Sequence, residues 1–146
     1  MAGLNEDRRG ATEVELADRL ENVGVPLSWG RTYHGRREPD GSCEVWVEED
    51  EHQNLSDALV SQPTRRELSL HLEIRNHSPT GFEWGYGGSG PAQLALALLV
   101  DALGDVEVAE AHYQDFKREV ISGLSASWTI TAKQIREFVI TRPERA

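Results

Sequence analysis

The sequence predicts an α+β fold, in which a small antiparallel sheet packs against about three C-terminal helices. Three observations predict it. A Pro39-Asp40-Gly41 turn separates two strand-like runs, "RTYHGRR" and "SCEVWVEED", and so predicts a hairpin. "RELSLHLEIRN" alternates apolar and polar residues and adds one further strand, with a second in doubt. From Ser89 onward the chain reads as helices with clear start and stop signals, and no βαβ alternation appears.

The elements follow in chain order. Residues 1–11 are polar and are expected to form a disordered tail. Thr12-Glu13-Val14-Glu15 reads as a capping box that opens an amphipathic helix over residues 12–24, bearing Val14, Ala17, Leu20 and Val23 and ending at Gly24. That helix is an addition to a single domain spanning residues 25–146. In the second hairpin strand Cys43, Val45 and Val47 share one face, and Glu44, Trp46 and Glu48 the other. "EEDEHQN" reads as a loop, followed by a short helix around residues 55–60 that Pro63 ends.

In "RELSLHLEIRN" the buried set is Leu68, Leu70, Leu72 and Ile74, while Glu67, Ser69, His71, Glu73 and Arg75 face water or a covering helix. Phe82, Trp84 and Tyr86 alternate as well and hint at a short extended piece. The first C-terminal helix is capped by Ser89 or Gly90, carries Pro91 in its opening turn and stops at Gly104. Its leucines cover nearly the whole circumference, which predicts a central, buried helix. Asp105 caps the second helix, where Ala109, Tyr113, Phe116 and Val120 form a stripe up to Gly123. "SASWTI" reads as a link or short strand, and a Thr131–Gln134 capping box opens the last helix.

Composition narrows the function classes. The 146 residues carry a formal net charge of −10 and only two lysines, Lys117 and Lys133. Such a surface disfavours nonspecific nucleic-acid binding, which depends on basic groups displacing counterions from phosphates. The acidity fits a saline cytoplasm, and GC-rich coding accounts equally for the preference for Arg over Lys. No run of about 18 residues is free of charge, so no membrane span is expected. The absence of a secretory signal, together with the single Cys43, points to the reducing cytoplasm.

The most informative stretch is "GFEWGYGGSGPAQLALALLVDALG", residues 81–104. Gly85, Gly87 and Gly90 match the dinucleotide spacing formally, but another helix follows where a parallel strand is needed. Either the glycines only supply unusual dihedrals and close approach, or their amides also form an anion nest at a helix start. On the second reading the backbone of Gly87, Gly88, Ser89 and Gly90 holds an anion, and Trp84 or Tyr86 stacks on a ring. Arg31 or Arg36 then supplies charge, from a basic patch that also holds Tyr33, His34 and Arg37. The alternative for that patch is pairing with Glu44, Glu48 and Glu49 on the neighbouring strand.

Glu83 is the one carboxylate within the stretch, and burial would raise its pKa toward a proton-transfer role, whereas exposure would not. Ser89 lacks an assignable catalytic partner and suits N-cap duty. His77 precedes the aromatic loop, within reach of a ligand there, and His52 reads as a solvated loop residue. No metal-ligand spacing and no cofactor motif is present.

"SPTGFEWGYGGSGPAQLALALL", with "YQDFKREV", a Trp before the last helix and "YHGRR" near the first strand, resembles a family catalogued as a domain of unknown function, number 6166. The likeness covers about residues 32–140. The resemblance implies a distribution in bacteria, archaea and viruses or other mobile elements, and it carries no activity and no catalytic residue.

Two functions follow as expectations. The first is a small non-enzymatic binding domain, an accessory factor of a virus, mobile element or host, taking a small anionic or nucleotide-like ligand at the glycine-rich loop. The second is a protein–protein interaction module in which that loop is purely structural. An enzyme acting through Glu83 or a histidine is a third and weaker reading. Oligomeric state is not legible in the sequence.

Overall fold

Four strands pair in the order β3-β2-β1-β4, every neighbour antiparallel. The computed structural model describes residues 30–50 and 64–142. β1 (Gly30–Arg37) and β2 (Cys43–Asp50) form the expected hairpin, with Glu38 and Ser42 bonded across the turn and Asp40 accepting from the Ser42 amide. β4 (Ser127–Thr131) is the strand written by "SASWTI", and it pairs beside β1. The expected tail over 1–11, the helix over 12–24, the "EEDEHQN" loop beyond Asp50, the short helix near 55–60 and His52 lie outside the described residues.

Alternation assigns the two faces. Tyr33 is paired with Val47 and Ile130, and Gly35 with Val45 and Trp128; all are buried and form the inner face. Cys43 completes that face at its edge, half-buried, as the pattern of β2 predicts.

Among the described residues three helices lie on the inner side: the last packs on β1 and β4, the first is bonded to β1 through Asp101, and the second packs on the first. α1 (Ser89–Leu103) carries twelve buried residues, including every leucine, and ends at Gly104 in the left-handed conformation. α2 (Val106–Glu119) is capped by Asp105, which accepts the Val108 amide at 3.1 Å. α3 (Ala132–Ile140) opens with both halves of the Thr131–Gln134 capping box in place. Among the described residues, no helix is long and apolar enough to cross a membrane.

Four expectations need correction. The N-cap of α1 is Gly88, with no side-chain cap bond, so Ser89 is already in the first turn and does not cap. α2 ends at Glu119, and a separate 3₁₀ turn, Ile121–Gly123, follows it. The third strand, β3, is only Thr64–Glu67, earlier and shorter than the alternation in "RELSLHLEIRN" implies. Pairing stops after Leu68, and His71 adopts φ 55°, a left-handed turn conformation. Finally, Phe82, Trp84 and Tyr86 do not form a strand: they are half-buried, buried and exposed in turn.

Where the ladder stops, the chain is held instead by Gln93, fully buried in α1. Its amide nitrogen donates to the carbonyls of Leu70 and Arg75 at 2.6 and 3.0 Å. Its oxygen accepts the amides of His77 and Ser78 at 2.7 and 3.0 Å. A side chain that satisfies four backbone groups competes directly with a sheet ladder for them.

Candidate functional site

The glycine stretch is a junction where three parts of the chain meet. From the hairpin, Arg37 donates through Nη2 to Glu83 Oε1 at 2.6 Å and to the Trp84 carbonyl at 2.7 Å. Its guanidinium also lies over the Trp84 ring, 5.0 Å from the centroid. From the link between α2 and β4, the Ile121 carbonyl accepts the Gly85 amide at 3.0 Å, and the Ser125 carbonyl accepts Trp84 Nε1–H at 2.8 Å. Gly85 sits at φ +87°, and a Cβ there would also press on the Leu124 carbonyl at 3.2 Å. Gly90 is tighter still, since a Cβ would meet Glu83 Cβ at 2.7 Å.

Trp84 is therefore core. It is fully buried and packs edge-on against Trp128, with centroids 5.5 Å apart at 88°. Glu83 is a paired anion. Partial burial pushes its pKa up, but hydrogen bonds from Arg37, the Cys43 thiol and the Trp84 amide outweigh that and hold it below the usual carboxylate value. A depressed carboxylate is poorly suited to carry a proton near neutral pH. Burial, then the bond to Glu83, pushes the Cys43 thiol up, with Arg37 opposing.

Of the expected loop residues, the structure leaves Tyr86, Gly87 and Ser89 exposed, with the Tyr86 ring over Gly88. His77 reaches Tyr113 instead, Nε2 to hydroxyl at 2.8 Å.

The structure does not bring Arg31 or Arg36 to the loop. Arg31 pairs with Glu49 at 3.2 Å and donates to the Asp101 carbonyl at 2.8 Å, in the last turn of α1. Ser89 opens that same helix, so Arg31 and the loop stand at opposite ends, about 18 Å apart along its axis. Arg66 and Tyr33 join the same cluster, at 2.9 and 2.7 Å from Asp101. Burial, then the Asp101 charge, raises the Tyr33 pKa strongly. Arg36 lies on the other face of β1, paired with Glu38 at 2.7 Å and Glu44 at 3.5 Å. Pairing of the basic patch with Glu44, Glu48 and Glu49 is thus what the hairpin register produces.

A second site is the outer face of the sheet. His34 is bonded to Glu48 at 2.8 Å and to Thr129 at 3.1 Å. Its ring stacks on Trp46, centroids 5.4 Å apart and planes 21° from parallel. Arg65 lies 4.2 Å from the Trp46 centroid and Arg36 5.9 Å. The result is a row of planar groups running across β1, β2 and β3. Beside it a depression of about 350 Å³ is bounded by His34, Arg36 and Trp46 on one side and Ser127, Trp128 and Thr129 on the other. The sequence signal for this site is the parity of Trp46, a large aromatic sharing its strand face with Glu44 and Glu48. Among the described residues, no group of three or more His, Cys, Asp or Glu side chains gathers to hold a metal.

Comparison with known proteins places these residues in a family. A family model described as "Family of unknown function (DUF6166)" matches residues 33–141, and the chain belongs to that family. No curated protein and no solved structure matches the chain.

Proposed function

We propose that this member of the family is a binding module that meets a protein partner through the outer face of its sheet. One observation carries the reading: the helices pack on the inner face, while the outer face presents half-buried Trp46 between His34, Arg36 and Arg65. Tryptophan and arginine are the side chains that dominate interface energetics, and a ring of charged neighbours excludes water around them. The glycine junction then has an architectural role. Support for that comes from the burial of Trp84, the Arg37–Glu83 pair and the close packing at Gly90.

Selection of a random displayed-peptide library on the full chain tests the proposal. Binders should be enriched on the native chain and lost on Trp46→Ala and on Thr129→Arg, the second of which replaces an exposed side chain bonded to His34. Enrichment indifferent to both substitutions sinks the reading.

The ligand reading of the glycine loop keeps one supporting observation. α1 starts without a side-chain cap, and exposed Gly87 and Ser89 flank Gly88 there. Its test is a panel of linear and cyclic nucleotides, read from the amide resonances of Gly87–Gly90. Silence from every member retires it.

A further inference from the structure

Among the described residues, the outer face holds more carboxylates than it neutralises. Glu44 and Glu48 flank Trp46 at the i−2 and i+2 positions of β2, on the same side of the sheet. Glu67 stands directly opposite Trp46 on β3. Glu38 closes the row at the turn, bonded to Arg36. Against these four acids stand two guanidinium groups, of Arg36 and Arg65. Glu44 takes both of them. Glu48 has only His34, and Glu67 has no ion-pair partner among the described residues.

An indole bordered by carboxylates that are only partly neutralised is a setting that attracts a cation. The indole face attracts positive charge through its quadrupole, and carboxylates add fork-shaped acceptors for a guanidinium. The chain's own Arg65 shows the geometry at work, since it lies over Trp46 while bonded to Glu44. The formal net charge of −10 adds a long-range field of the same sign.

Resting on the outer-face reading above, we infer that the partner is a basic protein segment, with an arginine or lysine lying along the His34–Trp46 row toward Glu48 and Glu67. The depression beside Thr129 takes the neighbouring part of that segment. The same field repels a nucleic-acid backbone, which otherwise finds aromatic rows on open sheets suitable for stacking.

The test has two arms on the full chain. In the first, the Trp46-dependent library binders are sequenced, and arginine and lysine should be enriched among them. In the second, an octa-arginine peptide, an octa-glutamate peptide and an oligothymidylate are titrated separately into isotope-labelled protein. Octa-arginine should move the amides of residues 44–48 and 127–129. Its affinity should fall about tenfold between low and physiological salt, as exposed charge pairs are screened. Glu48→Gln with Glu67→Gln should weaken it by a similar factor, and Thr129→Arg, which crowds the depression and removes the bond to His34, should weaken it as well.

Trp46-dependent binders without basic residues would overturn the cationic partner and leave the outer-face reading standing. Octa-arginine binding that ignores Glu48, Glu67 and Thr129 would also overturn it, as a general effect of the acidic surface. Absence of Trp46-dependent binders would remove both proposals. Binding of the oligothymidylate at residues 44–48 would replace them with a nucleic-acid role.

Discussion

The side-chain oxygen of Gln93 accepts the backbone amide of His77 at 2.7 Å, from inside a helix built mostly of Ala and Leu. One carboxamide ties down the irregular segment between β3 and the glycine junction at four points, because it also holds Leu70, Arg75 and Ser78. Gln93→Leu keeps the volume and leaves four backbone groups to find water or go unpaired. The expected loss is about 2–4 kcal/mol, from the cost of desolvated backbone groups. Urea denaturation measures it, and hydrogen exchange of residues 70–78 should accelerate even where the global loss is small. Unchanged protection across that segment would show that the segment holds itself.

Local chemistry made most of this fold legible. The Pro-Asp-Gly turn, the Asp105 cap, the Thr131–Gln134 box and the αL Gly104 each act within a few residues, and each stands where the pattern puts it. The strand over Leu68–Ile74 breaks off after Leu68, and Gln93, many residues later, draws the Leu70 and Arg75 carbonyls toward α1, a competition that no window can contain. Arg31 and Arg36 stand away from the loop for a related reason: a dense basic patch is visible in the sequence, whereas strand parity and register decide what it reaches. Arg37 shares parity with Tyr33 and Gly35, so it turns inward to Glu83. Asp101 carried a readable signal too, as the one charge within an apolar helix, and its partners are Arg31, Tyr33 and Arg66.

The Arg37–Glu83 pair should make stability depend on pH in one direction. Glu83 titrates below its ordinary value in the folded chain, so its contribution is full above that value and fades as pH falls through the folded one. Glu83→Gln should therefore cost about 1–2 kcal/mol near neutral pH, a charged hydrogen bond discounted for partial exposure. The gap between native and variant should close in acid, below the ordinary glutamate range. Urea midpoints for both proteins across pH give the answer, and a gap independent of pH would mean the pair adds nothing. Alkylation of Cys43 should be faster in the variant, because the bond to Glu83 favours the neutral thiol.

Gly35 and Trp128 face each other across β1 and β4, and the indole occupies the volume a side chain at position 35 would take. Gly35→Ala therefore collides with a ring rather than with a flexible chain end. Trp128 in turn is packed against Trp84, so the displacement has nowhere to dissipate. Overpacking of this kind costs about 1–3 kcal/mol. Trp128→Phe is a contrasting change. The Trp128 Nε1–H is buried without an acceptor among the described residues, so losing it removes a desolvated donor and offsets part of the lost area. The smaller ring also vacates space over position 35. The double variant should then be more stable than the sum of the single effects predicts, by about 1 kcal/mol or more, because the two sites are in contact. Chemical denaturation of the four proteins closes the cycle, and simple additivity would show that the indole does not rest on Gly35 in solution.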